Sequence, residues 1–115
     1  MSIFRSLPLA ALVALALLGA SPTPTASPKP VAIVHIRDFK YNPTPVVVSV
    51  GDTVEFINDD DEAHTVTSND KSFDSGGLDT GETWLHTFAK PGKYAYFCAL
   101  HPWMKAVVIV KPSAP

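Results

Sequence analysis

From Val31 onward the chain alternates apolar and polar residues in short stretches cut by Gly, Pro, Asn and Asp. A repeat of two is the mark of a strand with one face buried. Ala32–Arg37, Val46–Val50, Thr53–Asn58, His64–Ser68, Thr83–Phe88, Lys93–Cys98 and Lys105–Lys111 carry it, and no ten-residue amphipathic helical stretch separates them. Their number and spacing predict an all-β domain, a Greek-key β-sandwich of about seven or eight strands. Gly51-Asp52 marks a tight reversal. Pro91-Gly92 predicts a type II turn in which Gly supplies the positive φ. The alternation also assigns faces: Tyr94, Tyr96 and Cys98 share one, with Phe97 turned out, while Val34 and Ile36 point inward and His35 and Arg37 into water. His86 falls on the face of Trp84 and Phe88.

The first thirty residues do not follow this pattern. Arg5 precedes ten uninterrupted apolar positions, Leu9 to Leu18, and these lead into Gly19, Ala20 and Ser21. That layout is a secretory signal, expected over residues 1–20 and cut after Ala20 or Ala26. The apolar run is short of the roughly 20 residues that span a bilayer, so retention as an anchor is the weaker reading. Ser21 to Pro30 hold four prolines among Ser, Thr and Ala, which predicts an extended tether unable to build a core. The folded domain is then 31–111, with a short tail at 112–115, and the exported product is periplasmic or secreted. No stable membrane insertion is expected after cleavage.

Export changes the meaning of the cysteine count. Cys98 is the one Cys in the chain. A lone thiol in an oxidising compartment is either buried and inert or a metal ligand. Its neighbours decide: Cys98, His101 and Met104 place a thiolate, an imidazole and a thioether three residues apart on one loop. With a second imidazole from His64, 34 residues upstream, this is a trigonal set of one sulfur and two nitrogens with a weak axial thioether, the donor set of a mononuclear type 1 (blue) copper centre. Two neutral imidazoles and a thiolate leave one net charge on the oxidised site and none on the reduced one. An apolar pocket therefore disfavours the oxidised form and raises the potential.

The spacing Cys-x2-His-x2-Met, the upstream His64-Thr65-Val66-Thr67-Ser68, the Gly51–Phe56 turn and strand, and Pro91–Cys98 together resemble small bacterial cupredoxins of the plastocyanin and amicyanin type, amicyanin most of all. The resemblance covers about Val31 to Val110. It implies one copper ion carrying one electron, with His101 as the exit for the electron and Pro102 and Trp103 in an apolar docking surface. In such proteins the reduced state can protonate and release the second His, which would here be His101. The family commonly has Asn after the first His. Thr65 stands there instead, which keeps the backbone donor toward the Cys sulfur but implies a looser link between the ligand loops beside Thr65 and Pro102. An aliphatic residue is usual at the position of His86.

The formal charge is −2. Removing Arg5 with the signal makes it −3, too mild a value to suggest nucleic acid as a partner. Asp59-Asp60-Asp61-Glu62 reads as a solvated acidic loop, or as a patch that steers a basic partner. His35 and His86 are not expected to bind metal. No Ser/His/Asp set, phosphate-cradling loop or paired-carboxylate cleft points to an enzyme, and four histidines are too few for the extra catalytic copper of nitrite reductases and multicopper oxidases. The expected partners are redox proteins, by resemblance a c-type cytochrome and a dehydrogenase, met by a monomer. Copper delivery or sequestration is the alternative, although such proteins tend to offer open sites rich in Met and His.

Overall fold

The computed structural model describes residues 27–113, with Ile3 and Gly19 besides. The signal expected over 1–20 and most of the tether expected over 21–30 therefore lie outside the described residues. Eight strands follow: β1 Ala32–Arg37, β2 Lys40–Asn42, β3 Val46–Ser49, β4 Thr53–Asn58, β5 Thr67–Ser68, β6 Thr83–Thr87, β7 Gly92–Phe97 and β8 Lys105–Lys111. They form two four-stranded sheets, in the orders β2-β1-β4-β6 and β3-β8-β7-β5. Strands β1 and β4 run parallel, as do β3 and β8, and every other pairing is antiparallel.

The apolar alternation fills the space between the sheets. Val34, Ile36, Val54 and Phe56 from one sheet meet Val46, Val48, Tyr96, Ala106, Val108 and Val110 from the other, and all ten are buried. Val66, Phe73 and Leu78 close the sides from the connecting segments. Facing follows the period of two: His35 and Arg37 are exposed, Tyr96 and Cys98 are buried, and Tyr94 and Phe97 are half-buried.

Three local expectations change. Strand β2 has three residues, too short to show a period, and it pairs with β1 through a two-residue turn at Asp38-Phe39. The predicted strand His64–Ser68 shrinks to Thr67–Ser68 because its backbone donors go elsewhere. Thr65 N–H is given to the Cys98 sulfur and Val66 N–H to the Ser75 hydroxyl, leaving His64 as a single bridge to Leu78. Gly92 opens β7, paired with Val110 at φ +155°, rather than forming the centre of a type II turn. The reversal at Gly51 is present, with φ +90° and a bond from Asp52 N–H to Ser49 C=O.

His86 is half-buried on β6, stacked on Trp84 at 5.1 Å between ring centroids and 15° between planes, with Phe73 at 4.8 Å and Phe88 at 4.7 Å. Burial holds its imidazole below the ordinary value. An unfolded chain takes up this proton near pH 6.5 and the folded one only lower. The contribution of His86 to stability is thus complete above about pH 6.5 and is lost as the pH falls from there through the lower folded-state value. Thermal unfolding at pH 7.5 and pH 5 should show a drop in midpoint for the native chain that His86→Leu lacks; equal drops would refute this.

Candidate metal centre

Three side chains from two distant segments meet at one end of the sandwich, with a fourth, Met104, on the same loop as two of them. The Cys98 sulfur lies 3.7 Å from His64 Nδ1 and 3.6 Å from His101 Nδ1, and all three donor atoms fall within 4.8 Å of one another. Met104 is buried at the far end of the same loop. The loop closes on itself through backbone bonds: His101 N–H to Cys98 C=O, Met104 N–H to His101 C=O, and Cys98 N–H to Met104 C=O. His64 arrives from the other side, fixed by reciprocal bonds with Leu78. The structure brings His64, Cys98 and His101 together and buries Met104 on the same loop.

Donor spacing tests the fit of a metal. A divalent first-row ion held about 2.0 Å from nitrogen and about 2.3 Å from sulfur separates those atoms by about 3.7 Å at a trigonal angle. The observed separations match that figure. Softness then selects among metals, because a thiolate, two imidazoles and a neighbouring thioether suit copper. Cys98 and His64 are fully buried and His101 is part-buried, so the set is closed inward and reaches the surface through one imidazole.

The cupredoxin-like domain family matches residues 8–110. The chain belongs to that family. It is 30% identical over 107 residues to amicyanin-alpha of Methylorubrum extorquens, covering 89% of this chain and 87% of the relative. Among solved structures, a Cu(I) form of an amicyanin variant shares 29% identity with a TM-score of 0.65, over 70% of this chain and 82% of that one. A Cu-containing nitrite reductase from Thermus scotoductus shares 30% identity at TM-score 0.69, over 83% of this chain but only 25% of its own.

In this cupredoxin Thr65, which stands in place of Asn, links the two ligand segments. Its N–H points to the Cys98 sulfur at 3.3 Å, while its hydroxyl accepts from Ala99 N–H at 2.7 Å and shares a proton with the Thr67 hydroxyl at 2.8 Å. The hydroxyl oxygen thus supplies a direct bridge between the two ligand segments. Tyr41, whose phenol donates to Thr65 C=O, presses on the same segment from below. Burial, with the Cys98 sulfur and Tyr96 nearby, pushes that phenol well above its ordinary value and keeps it a donor.

The acidic run is not a uniform solvated loop. Asp59 pairs with His35 at 2.6 Å, and Asp61 and Glu62 are exposed. Asp60, by contrast, is buried. Its carboxylate accepts from Asp38 N–H at 2.6 Å and Phe39 N–H at 3.0 Å and lies 2.8 Å from His64 Nε2. Burial alone would raise this carboxyl, but the two backbone donors and the imidazole outweigh it and hold it below the usual range. Because Nε2 is engaged by Asp60, Nδ1 of His64 is left to face the sulfur, which sets the ligating nitrogen. His35 and His86 stand outside the cluster, as expected.

At the surface Trp103 is 68% exposed and Leu100 55%, and the Trp103 ring sits 5.3 Å from that of His101. Pro102 is exposed between them. The sequence reading missed Phe39, Asp60 and Asn58. The one available signal was a carboxylate four residues before a ligand His, and it was masked by three acidic neighbours.

Proposed function

We propose that this cupredoxin is an exported carrier of single electrons, with one type 1 copper held by His64, Cys98, His101 and Met104. The observation that carries the reading is the Cys98 sulfur placed 3.6–3.7 Å from the Nδ1 atoms of both histidines. Copper, when bound, supplies the one-electron Cu(I)/Cu(II) couple. The protein does the rest. Thr65 N–H takes part of the charge on the sulfur, Asp60 fixes the tautomer of His64, and the buried surroundings keep water from the sulfur.

His101 is the one imidazole that is not fully buried, so the electron enters and leaves there. Leu100, Pro102 and Trp103 give an apolar rim suited to brief contact with a redox partner such as a c-type cytochrome or a dehydrogenase. Asp61 and Glu62 remain free to steer a basic partner. The carrier reading is supported by the chemistry of the thiolate and two imidazoles that converge here. Export to the periplasm or beyond is supported by Arg5, the Leu9–Leu18 run and the small residues after it.

Copper titration of the purified protein, followed by visible absorption and voltammetry, tests the reading. The expected result is one equivalent per chain, an intense thiolate-to-copper band and a reversible one-electron wave. Copper that binds without that band, or exchanges rapidly, would favour delivery or sequestration instead.

A further inference from the structure

Phe39 occupies a place that ordinary turn chemistry does not explain. Asp38 and Phe39 form the two-residue turn between β1 and β2, with φ +52° and +56°. Two successive positive φ values make the type I′ geometry, which favours Asn or Asp followed by Gly. A bulky residue in the second position is sterically out of place. Strain of this kind persists where the surroundings fix it and is associated with functional sites.

What the strain positions is the ring. Phe39 stands edge-on to both copper imidazoles, 5.2 Å from His64 at 88° and 5.0 Å from His101 at 90°. The two imidazoles are themselves 4.9 Å apart. Three rings thus close a triangle on the surface side of the donor set. The turn is held down by the Asp60 carboxylate, which accepts both of its N–H groups and also engages His64. One buried carboxylate therefore ties the strained turn to a ligand.

We infer that Phe39, clamped by Asp60, is a positioning residue that fixes the planes of both ligand imidazoles, His101 above all. His64 is itself fully buried and is held by Asp60. His101 is part-buried on a loop, and its ring has Phe39 on one side and the exposed Trp103 on the other. Without Phe39 it loses its fixed wall. Holding a donor triangle rigid before the metal arrives raises affinity, and it keeps the geometry the same in both oxidation states. The inference rests on the copper reading for its purpose, but not for its geometry.

Phe39→Gly separates this role from a structural one. Glycine suits the turn better than phenylalanine does, so the metal-free variant should unfold at the same or higher urea than the native protein. Its His101 ring should nevertheless become mobile, with the ring order parameter from ¹³C relaxation falling clearly below that of the native protein. Cu(I) affinity measured by chelator competition should fall about 10–100-fold, and Phe39→Tyr should restore both. Asp60→Asn should speed amide exchange at Asp38 and Phe39. An unchanged His101 order parameter and Cu(I) affinity in Phe39→Gly would overturn the inference. If the native protein showed no thiolate-to-copper band, the copper reading would fail, while ring order in the metal-free protein would still decide the role of Phe39.

Discussion

Cys98→Ser should leave a folded, colourless protein. The side chain is fully buried and makes a modest polar contact, from Thr65 N–H at 3.3 Å. A serine oxygen can accept the same bond from a slightly shorter distance and fills nearly the same space, so the sandwich has little reason to open. The metal chemistry has every reason to fail. A hydroxyl is hard and stays protonated where a thiolate is soft and charged, and Cu(I) prefers soft donors. Removing a direct ligand should cost more than the 10–100-fold that changes around a ligand cost, so affinity should fall by more than about 100-fold. The visible band depends on sulfur and should vanish. Absorption and Cu(I) competition check both parts; a variant that kept its colour would show that the sulfur of Cys98 is not the ligand.

Such a prediction is possible because much of the site lies in one stretch. Cys98, His101 and Met104 are spaced along a single loop, so their chemistry can be read without knowing the fold. His64 follows from the need for a second imidazole to complete the set, but the strand it was assigned to did not form as such, since Thr65 and Val66 spend their backbone donors on a sulfur and a hydroxyl. Those diversions are tertiary events with no local signature. The same holds for β2, whose three residues carry no period, and hence for Phe39 at the turn before it. Asp60 illustrates the limit most clearly. In a run of four acids nothing distinguishes the carboxylate that will be buried against a ligand from the three that will not.

Asn58 is the residue that makes Asp60 possible, and its loss should be the largest destabilisation of the metal-free fold short of emptying the core. It ends β4 fully buried, with both amide N–H donors and the amide oxygen engaged. Nδ2 donates to Glu62 C=O and to Leu78 C=O, each at 2.8 Å, while Oδ1 accepts from Asp60 N–H at 2.9 Å. One side chain thus staples the whole 59–62 segment, and with it the carboxylate behind His64, to the end of the central strand β4. Asn58→Leu keeps the volume but strands Asp60 N–H and Glu62 C=O, whereas Leu78 C=O still has His64 N–H. Each stranded group costs about 1–3 kcal/mol, so the two together should cost about 2–6 kcal/mol. That is a large share of the roughly 5–15 kcal/mol that holds a domain together. Copper opposes it by binding the folded state alone, adding about 4 kcal/mol at a thousandfold excess over the dissociation constant. Urea unfolding of the metal-free protein should therefore show a marked fall in midpoint, and the copper-loaded protein should recover much of it. A fall of under about 1 kcal/mol without copper would mean that the segment carrying Asp60 is held by something other than Asn58.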